Sequence, residues 1–131
     1  MIVEFKKLEG KVLKKITVDG EDTIYFITED DSVFRMHGWP ACCEVIEIEE
    51  IVGDLQDLLE TPILKAYESS NEGENIEKRT GTWTFYNLST IKGSVTIRWW
   101  GESNGNYSEN ACFEEIIIEA EKKYILKKLE F

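Results

Sequence analysis

The chain has 131 residues, of which 42% are hydrophobic and 31% charged, and it carries a formal net charge of −11. That length suits one domain, residues 1–131, with a substantial core. No apolar run approaches the roughly 20 residues of a membrane span, and so acidic a chain lacks the positive footprint that direct nucleic-acid binding needs.

Charge is unevenly spread. Residues 19–77 hold 17 acidic side chains against only Arg35 and Lys65, whereas the ends are basic, with Lys6, Lys7, Lys11, Lys14 and Lys15 and then Lys122, Lys123, Lys127 and Lys128. The opening MIVEFKKLEGK lacks a long apolar region followed by a small-residue cleavage site, so a cytoplasmic setting is expected. Three cysteines, two of them the vicinal pair Cys42-Cys43, argue against a disulfide framework.

The first third reads as a meander. Val12, Ile16 and Val18 precede a turn at Asp19-Gly20, Ile24–Ile27 form an apolar strand, and a turn at Glu29–Asp31 leads into Ser32–His37. Pro40 breaks the pattern, because proline cannot continue a ladder. Val45, Ile46, Ile48 and Ile51 interleave with Glu44, Glu47, Glu49 and Glu50, which predicts a half-buried strand with a carboxylate-lined face. Asp54 is placed to cap a short helix over Asp54–Leu59, and Thr61-Pro62 ends it. Ile63–Tyr67 reads as extended, and the polar stretch from Ser69 to Thr80 as an exposed, mobile loop.

Residues Gly81–Ser108 read as two linked hairpins, with Asn104-Gly105 as a strong turn signal. Alternation is expected to put Trp83, Phe85, Val95, Ile97 and Trp99 on a core face and Thr82, Thr84, Tyr86, Thr96, Arg98 and Trp100 on the opposite face. After the apolar run Phe113–Ile118, the tail lacks Gly and Pro, and Ile118, Ile125 and Leu129 suit a helix over 118–131 packed on a sheet or a second chain. The expected fold is α+β, mostly antiparallel β, with meander and hairpins, one short internal helix and a C-terminal helical extension.

Several segments together resemble a family of small proteins found mainly in tailed bacteriophages and prophages. They are Leu8-Glu9-Gly10-Lys11, Ser32–His37, Cys42-Cys43-Glu44, Ile48–Leu55, Pro62-Ile63 and Gly81–Ser108. The resemblance covers roughly residues 8–115. It implies a viral accessory protein acting in a bacterial host cytoplasm, and it brings no catalytic residues. The chain departs from the family pattern at Gly38–Ala41 and in the tail after Glu115.

No catalytic constellation is spelled out. His37 is the only histidine, so any Ser–His–Asp or Cys–His nucleophile would have to use it. There is no glycine-flanked serine elbow and no phosphate-binding loop of the GxxxxGK[ST] type. A Cys₃His zinc set of His37, Cys42, Cys43 and Cys112 lacks the usual CxxC spacing. Glu47, Glu49, Asp54 and Asp57 would suit Mg²⁺ or Ca²⁺ only if they converged. The expectation is a protein without catalytic residues, metal or cofactor.

The polar–aromatic face offers a better lead. Tyr86 and Trp100 supply flat surfaces, Arg98 a fork for phosphate, and Thr82, Thr84 and Thr96 hydroxyl partners. The favoured function is sequestration of a small nucleotide-derived signal of a host antiviral system, which predicts a homo-oligomer. A second reading is an acidic inhibitor that mimics nucleic acid and binds a basic host protein through Glu44, Glu47, Glu49, Glu50, Asp54 and Asp57. A third is a virion or assembly component.

Overall fold

The structure is a computed structural model describing residues 1–38, 45–74, 80–103 and 111–129. It contains β1 (Leu13–Asp19), β2 (Thr23–Thr28), β3 (Val33–His37), β4 (Val45–Val52), β5 (Lys65–Glu74), β6 (Thr80–Thr90), β7 (Gly93–Ser103), β8 (Cys112–Ile116) and helix α1 (Glu119–Lys128). Two antiparallel sheets result, one ordered β1-β2-β3-β8 and the other β4-β7-β6-β5. With the terminal helix and two short 3₁₀ turns, the fold is α+β and mostly antiparallel.

The two sheets share a core. Phe26, Phe34, Met36 and Phe113 come from the first sheet, and Tyr86, Leu88, Val95, Ile97 and Trp99 from the second. The Trp99 indole N–H donates across this core to Met36 Sδ at 3.0 Å, so the one polar atom of a fully buried indole is satisfied. Phe5 and Leu8, on the 3₁₀ turn Phe5–Leu8, close one end. The Phe5 ring meets those of Tyr86 and Phe113 edge-on, at 4.9 and 5.2 Å between centroids.

The internal helix is a 3₁₀ turn over Leu55–Leu58, with Asp54 as N-cap accepting from the Gln56 N–H at 2.9 Å. Gly53 precedes it at φ +108°, where a Cβ would stand 2.5 Å from the Ser94 carbonyl oxygen. Only glycine fits there.

Two expectations are corrected. The stretch from Ser69 is not a loop: β5 runs unbroken to Glu74, in register with β6 from Lys65↔Ser89 to Glu74↔Thr80. A polar sequence forms a strand here because β5 is an edge strand with β6 as its ladder partner, so little of it needs to be apolar. Residues 75–79, the Asn104-Gly105 turn and Cys42-Cys43 lie outside the described residues.

The second correction concerns faces. β6 and β7 are joined through Ile91-Lys92, with Thr90 opposite Gly93, Tyr86 opposite Ile97 and Thr84 opposite Trp99. A two-residue connection pairs even numbers with odd ones, and directly opposed residues share a face. Thr84 and Tyr86 therefore belong to the core, at 2% and 1% exposure. Trp83 and Phe85 lie on the outer face, opposite Trp100 and Arg98.

Candidate functional site

The outer face of the second sheet follows from this register. On β7 it carries Thr96, Arg98 and Trp100, on β6 Asn87, Phe85 and Trp83, and on β5 Tyr67 and Ser69. On β4, Glu47 lies opposite Trp100 and Glu50 opposite Arg98. The helix does not reach this face: its buried residues Ile125 and Leu129 pack with Tyr25, Ile27, Val33 and Ile116 of the first sheet.

At one end lies an aromatic ledge. The Trp83 and Trp100 rings are 4.5 Å apart between centroids, tilted by 49°. The Arg98 guanidinium carbon sits 4.9 Å from the Trp83 ring centroid, within cation–π range. Gly81 makes the ledge possible, because a Cβ there would fall 2.0 Å from the Trp100 indole.

Arg98 Nη2 pairs with Glu50 Oε2 at 3.0 Å, with both side chains substantially exposed. Such a pair is worth under about 1 kcal/mol. Arg98 Nε is buried and finds no hydrogen-bond partner in the structure, and a buried donor left that way costs about 1–3 kcal/mol. The guanidinium is thus well placed but incompletely satisfied.

Beyond the ledge the face opens into a polar concavity of about 370 Å³ lined by Lys65, Tyr67, Asn87, Ser89, Ser94 and Thr96. Thr96 donates to Asn87 Oδ1 at 2.9 Å, which fixes the orientation of that amide. Tyr67 is 55% exposed. The concavity shares Thr96 and Asn87 with the rows that carry Arg98 and Phe85, so ledge and concavity are continuous.

Of the residues expected to bind, Thr96, Arg98 and Trp100 share this face. Thr82 lies opposite Gly101, in the same row as Thr84 and Tyr86. Tyr86 is held between the sheets and donates to the Ala111 carbonyl at 3.3 Å. Burial, and then the negative charge of Glu68, push its phenol well above the ordinary value of 10. It is unsuited to stacking on a ligand. Trp83, Phe85, Asn87, Lys65 and Tyr67 are the members missed, and the two-residue connection at Ile91-Lys92 was the signal for the β6 residues.

The residues of the acidic reading do different things. Glu47 and Glu50 border the ledge, Glu49 is exposed at the irregularity in β4, and Asp54 is used as a cap. The Asp57 carbonyl accepts from the Thr90 hydroxyl, and its carboxylate lies over Gly93. Glu44 lies outside the described residues.

A family model described as a domain of unknown function, DUF7448, matches residues 6–113. The chain belongs to the DUF7448 family. No curated protein and no solved structure matches it. The DUF7448 match includes every residue of the ledge and concavity and stops before α1. Among the described residues, no helix is long and apolar enough to cross a membrane.

Proposed function

We propose that the protein is a non-enzymatic binding module that takes a small nucleotide-type ligand on the outer face of its second sheet. The observation that carries this reading is the Arg98 guanidinium over Trp83, beside Trp100, on a sheet face that no helix among the described residues covers. Trp83 and Trp100 give a base a surface to stack on. Arg98 gives phosphate a planar fork, and Lys65 adds a second cation in the adjoining concavity. Asn87, Ser89, Ser94 and Thr96 supply donors and acceptors for a ribosyl group.

Glu50 occupies the fork in the absence of ligand. A phosphate exchanges one exposed ion pair for another, so Glu50 is a weak competitor. In the viral setting that the sequence resemblance implies, the ligand is a nucleotide-derived signal of host antiviral defence, and binding without turnover suffices to remove it.

The test is isothermal titration of the full chain with a panel of mono-, di- and cyclic nucleotides. Binding by the wild type is expected, with a loss of at least tenfold in Arg98→Ala and in Trp83→Ala. Failure of the whole panel to bind, or equal affinity in Arg98→Ala, would contradict the proposal.

One observation favours a second reading. Glu49 and Glu50 are exposed on β4, an edge strand, and with Glu47 they would face a basic host protein as a carboxylate row. Reversing all three to lysine would then abolish capture of that protein, whereas Arg98→Ala would not.

A further inference from the structure

The first sheet carries a different kind of site at the end of its outer face. His37 on β3 lies directly opposite Cys112 on β8, and Arg35 opposite Glu114. The Glu114 carboxylate is divided between two neighbours. Oε1 accepts from Arg35 Nη2 at 2.7 Å, and Oε2 lies 2.9 Å from His37 Nε2. The other imidazole nitrogen, Nδ1, lies 3.3 Å from the Gly38 carbonyl oxygen. One donor atom each from His37, Cys112 and Glu114 fall within 4.8 Å of one another.

Both ring nitrogens of His37 therefore face acceptors. A neutral imidazole carries only one N–H, so one of its lone pairs would point at an oxygen. The conflict is removed either by a second proton or by a cation between Nε2 and Oε2. Without a metal, the shorter contact to the Glu114 carboxylate favours a proton on Nε2. A cation at Nε2 takes that proton's place and turns Nδ1–H to the Gly38 carbonyl, the arrangement typical of metal-bound histidines.

We propose that His37, Cys112 and Glu114 form a binding site for one thiophilic divalent cation of the zinc type. Thiolate, imidazole and carboxylate are all zinc donors, with bonds of about 2.0–2.3 Å, which puts ligand atoms of a tetrahedral site roughly 3.5 Å apart. The observed bound of 4.8 Å exceeds that spacing by about 1.3 Å, which is within the reach of side-chain rotation. Arg35 does not compete, because it holds Oε1 and leaves Oε2 to the metal, as outer partners of ligating carboxylates do. The two anionic donors match the dication, and Arg35 also reaches Glu121 Oε1 at 3.8 Å. Binding releases the thiol proton and any second proton on the imidazole. The site ties β3 to β8 on the outer face of the first sheet, whereas the ledge lies on the second.

The test uses Co²⁺ as a spectroscopic probe of the metal-free full chain, with Zn²⁺ competition to follow affinity. The wild type should take one Co²⁺ per chain and develop a thiolate-to-cobalt charge-transfer band. The band should persist in the double variant Cys42→Ser/Cys43→Ser, in which Cys112 is the sole thiol, and vanish in Cys112→Ser. His37→Gln and Glu114→Gln should each weaken Zn²⁺ at least tenfold, and Zn²⁺ should raise the melting temperature of the wild type but not of Cys112→Ser. Near-UV circular dichroism of the metal-free variants checks their folding, with Cys112→Ala replacing Cys112→Ser if that variant fails. Absence of the band in the wild type, its survival in Cys112→Ser, or its loss in the folded double variant would overturn the proposal.

Discussion

Each sheet turns one face to the shared core and one face outward, and the two outward faces are finished in opposite ways. On the first sheet, Tyr25, Ile27, Val33 and Ile116 are covered by Ile125 of α1 and by Leu129 at its C-cap, all of them buried. The helix is held by charge as well as apolar contact. Lys128 reaches Asp19 at 3.5 Å, Glu121 reaches Arg35 at 3.8 Å, and acids begin the helix while lysines end it, as its dipole favours. On the second sheet, no helix among the described residues lies over Trp83, Phe85, Trp100 and Tyr67. The lesson is that aromatic content does not separate a face packed under a helix from one that the described helix leaves uncovered.

The sharpest way to break this comparison is to truncate one residue on each face. Ile125→Ala should cost about 2–4 kcal/mol, whereas Trp83→Ala, a half-buried ring with one aromatic neighbour among the described residues, should cost about 1 kcal/mol. Urea unfolding of both variants measures the difference. Equal losses would mean that the second face is structural too.

Gly81→Ala probes the ledge from beneath. Its Cβ would overlap the Trp100 indole, so the ring must rotate off Trp83 at a cost of roughly 1–3 kcal/mol. A shift in tryptophan emission is expected, along with loss of nucleotide binding. Unchanged emission with intact binding would show that the Trp83–Trp100 contact is dispensable.

Tyr86 sharpens the distinction by pH. Its phenol ionises well above the ordinary value of 10 in the folded chain, so between those two values the unfolded chain has lost a proton that the folded chain keeps. That contribution to stability is complete below about pH 10 and is lost as pH rises through the folded value. Tyr86→Phe should therefore flatten the alkaline fall in stability, while costing about 1 kcal/mol at neutral pH through the lost bond to Ala111. Denaturant midpoints at neutral and alkaline pH measure both. An unaltered alkaline slope would place the phenol in water.

The smallest effect belongs to Glu50→Gln. An exposed pair contributes under about 1 kcal/mol, so stability should hardly change. Nucleotide affinity should rise modestly, as the fork no longer has an internal partner. Weaker binding in calorimetry would assign Glu50 to the ligand rather than to competition.

Much of this fold was legible in the sequence, and the failures have identifiable causes. The meander, the Asp54 cap, the β6–β7 hairpin and the terminal helix follow from alternation, turn residues and an uninterrupted helical tail. Ser69–Glu74 was not legible as a strand, since an edge strand paired on one side needs few apolar residues. The candidate face was half legible. Thr96, Arg98 and Trp100 were placed correctly, but the opposing strand was read out of phase, because face parity depends on a connection length that Ile91-Lys92-Gly93 leaves ambiguous. His37 and Cys112 entered the sequence reading only within a Cys₃His set that was set aside for want of CxxC spacing. In the sequence 75 positions separate the two residues, and the β3–β8 register is what places them side by side.

The most direct test of the account is to follow the tryptophan indole N–H resonances of the full chain while titrating a nucleotide that binds. Those of Trp83 and Trp100 should move together, while that of Trp99, donated to Met36 inside the core, should stay fixed. Movement of Trp99 with Trp83 and Trp100 unmoved would place the ligand elsewhere and contradict the outer-face site.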